Sequence, residues 1–327
     1  MQTVSPSAMT STLISTGAIT ADEVARLRAK HYNASVVAVG DVNPGLRILR
    51  VRPDWGRLEF QAGQYTVLGL GDWEPSIGEP VATPLGEAQD GQLIRRAYSV
   101  SSSLLGESGK LLPASESPYL EFYVTLAPAG EPQRPRLTPR LFHLRVGDRL
   151  HVGTHAHGRY TLAGVASTDQ IVFVATGTGE APHNAMLAEL LASGSWQPIV
   201  SVTCVRYWID LGYLEAHREL QRRFANYRYL TLTTREPENL DRYAAGYVGK
   251  RHLQDYFASG EFERAAGLRL DPSRTHIYLC GNPAMVGLPG AGDGNVRREG
   301  MVAILEQRGF VLDSPDRPGN LHCERYW

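Results

Sequence analysis

Three cysteines in 327 residues are too few and too scattered for a disulfide framework or a zinc knuckle. Cys204, Cys280 and Cys323 stand far apart, and no four-cysteine run offers an iron–sulfur cluster. Any one-electron centre that the chain works with must therefore belong to another molecule. No apolar run approaches the roughly 20 residues of a membrane-spanning helix. The formal net charge is only -1, which argues against general binding to nucleic acid or to a membrane surface. The first twenty residues contain no Lys or Arg, so they lack the basic end of a signal peptide and read as a loose tail on a cytoplasmic protein. Gly-Lys-Ser/Thr is missing, which excludes a P-loop, and no Gly-x-Ser-x-Gly elbow points to a serine hydrolase. His155-Ala156-His157 has no further His or Cys beside it, so no metal site is expected.

What is present begins with a 43% hydrophobic composition, enough for a large core, on a length that suits about two domains. Thr20-Ala21-Asp22-Glu23 has capping-box spacing and opens a short helix. From Ala34 to Leu70 the chain alternates as strands do, with Asn43-Pro44-Gly45 as a turn. Residues 71–92 and 103–118 read as inserted loops, and Tyr119 to Leu126 as another strand. A short helix is expected at Leu137-Thr138-Pro139-Arg140-Leu141 and a strand from Arg149. Several short strands with one small helix predict an antiparallel β-barrel over 31–165, behind an N-terminal segment 1–30. After Ala163 the pattern changes to all-apolar strands alternating with helices, starting with Gln170 to Ala175 and Ile199 to Val205. That alternation predicts a doubly wound parallel sheet over 166–327.

The stretch Arg95-Arg96-Ala97-Tyr98-Ser99-Val100-Ser101-Ser102 sets a guanidinium, an aromatic plate and several hydroxyls within a few residues. A guanidinium forks onto a phosphate pair, and a tyrosine can lie flat on a fused ring. One ligand uses all of these together, a flavin dinucleotide; the alternative is an amphipathic strand ending in a serine-rich turn. Two glycine turns fall at strand ends, Thr176-Gly177-Thr178-Gly179-Glu180 and Cys280-Gly281-Asn282-Pro283, where open α/β sheets hold ligands. A site selecting NAD places an acid near the end of the second strand. Here that strand runs into Arg206, the third into Arg235, and Lys250-Arg251 follows. Forked donors suit a 2′-phosphate, which favours NADP; the alternative pairs Arg206 with Asp210 and Arg235 with Glu236 on the surface. The chain closes on Glu324-Arg325-Tyr326-Trp327, whose rings either cover a planar ligand or plug the core.

In this order the motifs resemble those of the ferredoxin/flavodoxin–NADP⁺ reductases, bacterial type: Ala62-Gly63-Gln64-Tyr65, Arg96 to Ser99, Glu121-Phe122-Tyr123, Arg136 to Leu141, Gly177-Thr178-Gly179, Arg206-Tyr207, Cys280 to Pro283, and Glu324 to Trp327. The resemblance covers most of 31–327. It implies FAD on Arg96, Ala97, Tyr98 and Ser99, with Arg136, Leu137 and Thr138 at the pyrophosphate and Glu121, Phe122 and Tyr123 along the ribityl and adenine side. Tyr326 and Trp327 would roof the flavin. NADP(H) would lie on Thr176, Gly177, Thr178, Gly179, Gly281 and Asn282, with Arg206, Arg235 and Lys250 at its 2′-phosphate. Cys280, Glu324 and Tyr326 would flank the reacting atoms. The family exchanges electrons between NADP(H) and a ferredoxin or flavodoxin, and a monomer is expected; Arg134, Arg136 and Arg140 are candidates for steering the acidic carrier. An NADH-using reductase serving an oxygenase and a non-catalytic flavin sensor are the rival readings. Two positions depart from the family's pattern: Lys250 replaces a third arginine, and Glu180 stands where an apolar residue is usual.

Overall fold

The computed structural model describes residues 19–77, 91–126, 137–287 and 299–325. Helix α1 (Ala21–His31) starts where the Thr20 hydroxyl accepts from the Glu23 amide at 3.2 Å, as the capping spacing requires. Strands β1 (Ala34–Asn43), β2 (Leu46–Pro53), β3 (Tyr65–Gly71) and β4 (Leu93–Ser99) follow. Of the expected loop at 71–92, residues 78–90 lie outside the described residues. The second expected loop instead carries two two-residue strands, β5 (Leu104–Leu105) and β6 (Leu111–Leu112), before β7 (Leu120–Thr125). Helix α2 (Thr138–Leu141) and β8 (Arg149–Val152) complete the first half.

Six of these strands form one sheet in the order β4-β3-β8-β1-β2-β7, each pairing antiparallel. Just past β4, the Ser101 amide bonds the Glu121 carbonyl of β7 at 2.8 Å, so the two edges meet and the sheet closes into the expected barrel. Alternation along the strands fills it: Leu49 and Val51 of β2, Leu68 and Leu70 of β3, and Phe122 of β7 are fully buried. Each such side chain contributes about 1.5–3 kcal/mol by leaving water.

The second half holds β9 (Gln170–Thr176), α3 (Glu180–Ala192), β10 (Ile199–Val205), α4 (Leu214–Arg223), β11 (Tyr227–Thr233), β12 (Thr275–Gly281) and β13 (Leu321–Arg325). All pair in parallel, in the order β11-β10-β9-β12-β13. Ile171 to Ala175 of the central strand are buried on both faces, which is why that run is apolar throughout. The strand order reverses between β9 and β12, the switch point at which doubly wound sheets open a crevice.

A buried polar seam joins barrel and sheet. The Glu121 carboxylate is 2% exposed; its Oε2 takes Arg50 at 2.8 Å and the Ser103 hydroxyl at 2.6 Å, while Oε1 takes the Tyr213 hydroxyl from across the seam at 2.8 Å. Tyr123 packs edge-on against Tyr213, ring centroids 5.0 Å apart, and its hydroxyl donates to the Asp210 carbonyl while accepting from the Gly212 amide. Removing one partner from a buried, hydrogen-bonded charge leaves the other stranded. Glu121→Ala should therefore lower unfolding stability by about 3–5 kcal/mol, and Tyr213→Phe by about 1–3 kcal/mol. Urea unfolding of protein stripped of all small molecules checks this, because a carboxylate serving only a ligand would leave those midpoints unchanged.

Candidate active site

The carboxyl ends of β9, β12 and β13 meet the end of barrel strand β4. Ser99, the last residue of β4, donates through its hydroxyl to Glu324 Oε2 at 3.1 Å. Glu324 lies on β13 opposite Cys280 of β12, so the last strand delivers the carboxyl to the crevice. Burial pushes the Glu324 carboxyl up to about 7, against which the Ser99 hydrogen bond is a smaller opposing effect. Tyr98 is half-buried one residue earlier, edge-on to the Phe122 ring with centroids 6.5 Å apart. Arg96 and Ala97 are exposed on β4, an edge strand of the barrel sheet. Arg96 makes no ion pair with a described carboxylate.

The two glycine turns are interlocked. A side chain at Gly179 would stand 2.3 Å from the Cys280 carbonyl oxygen, so glycine lets the first turn touch the end of β12. A side chain at Gly281, at φ +130°, would stand 2.2 Å from the Thr176 hydroxyl oxygen, and that hydroxyl accepts from the Asn282 amide at 2.8 Å. Thr176 is therefore a staple between the turns rather than a free ligand group. Thr178 is buried, Gly177 borders open space, and Asn282 is exposed, with Oδ1 capping the Ala284 amide. Cys280 is fully buried among Tyr160, Tyr278 and Met186, a packing position in this conformation.

Arg206 and Arg235 leave β10 and β11 together, the Arg235 amide bonding the Arg206 carbonyl at 2.9 Å. Both are exposed, and neither pairs with a described carboxylate. The acids once available to them are occupied: Asp210 accepts from the Tyr207 amide at 3.0 Å, and Glu236 from the Trp208 amide at 2.6 Å. Exposed Lys250 follows Gly249, whose amide returns to the Glu238 carbonyl beside Arg235.

Several of the other expected residues also carry structural roles. The Glu121 and Tyr123 side chains join the seam, and the Phe122 ring is fully buried in the barrel. Leu137 is core, Thr138 opens α2, and Arg140 is buried with its guanidinium on the Asp72 carbonyl. Arg134, Arg136, Tyr326 and Trp327 lie outside the described residues. No cluster of metal-ligating side chains exists among the described residues, His155 and His157 included. The seam residues Arg50 and Tyr213 and the pair Tyr160–His183, hydroxyl to Nε2 at 2.6 Å, went unnoticed in the sequence because each is defined by a partner distant along the chain.

An antiparallel barrel meeting a parallel sheet at a glycine-lined switch point is the scaffold of two-domain flavin and nicotinamide oxidoreductases. Residues 173–288 match the family model described as an oxidoreductase NAD-binding domain. The chain is 31% identical to the flavodoxin/ferredoxin–NADP reductases of Shigella flexneri and of Escherichia coli strain K12, over 83% of this chain and 89% of each relative. Among solved structures, a ferredoxin NADP⁺ reductase from Neisseria gonorrhoeae with bound FAD and NADP shares the fold, with a TM-score of 0.65 at 20% identity over 90% of this chain and 98% of that one. A cytochrome P450 reductase from Amycolatopsis follows at TM-score 0.60 and 22% identity, over 90% of this chain and 69% of that one. The chain belongs to the flavodoxin/ferredoxin–NADP reductase family. Among the described residues no helix is long and apolar enough to cross a membrane.

Glu324 also carries a pH signature. Its unfolded carboxyl ionises near 4.5 and its folded one near 7, so between those values the folded state holds the extra proton. Stability is then fully present below about 4.5 and lost as pH rises through 7. Glu324→Gln removes that dependence, and chemical unfolding from pH 5 to 8 should show the wild type losing on the order of 2 kcal/mol relative to the variant.

Proposed function

We propose that this chain is an FAD-dependent ferredoxin/flavodoxin–NADP⁺ reductase, exchanging electrons between NADP(H) and a soluble one-electron carrier, with its two domains dividing near residue 166. The observation carrying the reading is the adjacency of Arg206 and Arg235 at adjoining strand ends, both exposed and neither in an ion pair with a described carboxylate. A 2′-phosphate is the group that such a cationic pair selects. An NADH-specific site would want a carboxylate where Arg206 stands.

The residues present fit both cofactors. Arg96 is open for a pyrophosphate, Tyr98 offers an aromatic plate at the barrel edge, and buried Ser99 with half-buried Glu324 supplies a hydroxyl and a protonatable carboxyl at its end. Thr138, at the start of α2, would sit at the pyrophosphate. Gly177 and Asn282 border the space for the nicotinamide end, and Thr176 and Gly179 hold that space open by fastening turn to turn. When bound, the flavin supplies the exchange between two-electron hydride chemistry and single-electron transfer. The chain's own work is placement: Arg206 and Arg235 fix one end of the dinucleotide, the glycine turns fix the other, and the distance between them decides whether the reacting carbon arrives within reach. Glu324 holds or releases a proton at its carboxyl close to neutral pH.

Replacing Arg206 and Arg235 together by Ala should raise KM for NADPH by about 100-fold, the loss of two charge-assisted contacts, while KM for NADH changes less than about twofold. Steady-state reduction of a dye acceptor by FAD-loaded protein measures both. Equal changes for the two nucleotides would mean that the arginines serve the fold, and a protein that takes up no FAD would end the reading altogether.

A further inference from the structure

Glu180 begins α3 directly after the glycine turn and is 2% exposed. Its Oε1 receives the Thr203 hydroxyl of β10 at 2.8 Å and the Tyr229 hydroxyl of β11 at 2.7 Å, with His217 Nε2 of α4 at 3.1 Å. The His217 ring stacks on Tyr229, centroids 4.0 Å apart, and its Nδ1 meets the Tyr227 hydroxyl at 2.8 Å. Burial alone would raise the Glu180 carboxyl; His217, with Tyr229 and Thr203, outweighs it and holds the carboxyl below its ordinary value. So the group is a true carboxylate, turned down into the sheet and away from the turn that precedes it.

A buried polar cluster of this kind seldom stabilises a protein more than well-packed apolar residues of the same volume. What it adds is direction, because two hydroxyls donating to one oxygen, with the His217 ring against it, fix the carboxylate in space. The residues that it grips lead to the arginines: Thr203 lies three residues before Arg206 on β10, about 10 Å at strand rise, and Tyr229 six residues before Arg235 on β11. On its other side the turn is wedged against the Cys280 carbonyl through Gly179.

We propose that Glu180 is a positioning residue for the nicotinamide nucleotide: its carboxylate ties the turn at the nicotinamide end to the strands that carry the 2′-phosphate arginines, and so sets the span across which NADPH is held. This rests on the dinucleotide reading above. Glu180 touches neither end of the nucleotide and acts through Thr203, Tyr229 and His217.

The test compares FAD-loaded wild type with Glu180→Gln, Glu180→Leu/His217→Met, Thr203→Val and Tyr229→Phe. Adenosine 2′,5′-bisphosphate, which carries the 2′-phosphate but no nicotinamide, reports the arginine end by calorimetry. The rate of flavin bleaching at saturating NADPH reports nicotinamide placement. The apolar double variant should bind the bisphosphate within about twofold of wild type, yet bleach about 10- to 100-fold more slowly, the penalty for a misplaced reactant. Glu180→Gln keeps an acceptor oxygen and should stay within about threefold of the wild-type rate. A double variant that bleaches at the wild-type rate overturns the proposal, as does one whose bisphosphate affinity falls in step with its rate. Should the double variant not fold, Thr203→Val and Tyr229→Phe decide: slower bleaching with unchanged bisphosphate affinity supports the proposal, and unchanged rates overturn it. Wild-type protein that fails to bind the bisphosphate overturns the dinucleotide reading itself, and this inference with it.

Discussion

A carboxylate taken out of water needs donors, a counter-charge or a proton, and this molecule settles that requirement differently at three junctions. Glu121 at the barrel–sheet seam has a guanidinium and two hydroxyls. Glu180 beneath the first glycine turn has an imidazole and two hydroxyls. Glu324 at the crevice has one hydroxyl among the described residues, and its carboxyl rises to about 7. The first two are fully provided for and serve as fasteners. Burial of the third keeps its proton exchangeable near neutrality. Glu121 and Glu180 are fully buried and Glu324 half-buried; the donors around each one separate architecture from chemistry.

These fasteners matter because the site belongs to neither half alone. The plate and hydroxyl come from β4 of the barrel, the carboxyl from β13, the turns from β9 and β12, and the cationic pair from β10 and β11. A rotation between barrel and sheet would separate Ser99 from Glu324 while leaving each half folded. The Glu121–Tyr213 bond and the two bonds of the Tyr123 hydroxyl oppose that rotation from the far side of the seam. Gly212 shows how close the approach is, since a side chain there would stand 2.6 Å from the Tyr123 hydroxyl.

Local signals were legible and partnered ones were not. Alternation from Ala34 to Leu70 and the apolar runs of β9 and β10 gave the two sheets, because each strand writes its own burial into its residues. β13 escaped because His322 and Glu324 interrupt its pattern and its place comes from parallel pairing with β12. The motif Glu121-Phe122-Tyr123 suggested one ligand surface, but consecutive strand residues face opposite ways, so Glu121 and Tyr123 reach the seam while Phe122 enters the barrel. Glu180 stood out as a charge among apolar residues, yet its meaning needed His217 and Tyr229, 37 and 49 residues onward. The basic pair was visible as residue types; only the strand register brought Arg206 and Arg235 side by side.

A proton inventory around the crevice narrows the chemistry further. Burial raises the Tyr98 and Tyr160 hydroxyls well beyond neutral pH, raises the Cys323 thiol to about 12 and lowers His183 to about 3. Each of these keeps its uncharged form over the range in which proteins work, so none can gain or lose a proton at little cost. His183 accordingly serves Tyr160 as a neutral hydrogen-bond partner, wedged against Phe173 with ring centroids 5.0 Å apart. Among these groups Glu324 alone has a midpoint near 7. A hydride moves two electrons and one proton's worth of hydrogen together, whereas a one-electron carrier takes charge without hydrogen, so a reductase between them must dispose of a proton. Among the described residues Glu324 offers a place at this cleft where that proton can be held, and it lies at the hydrogen bond that joins the two domains.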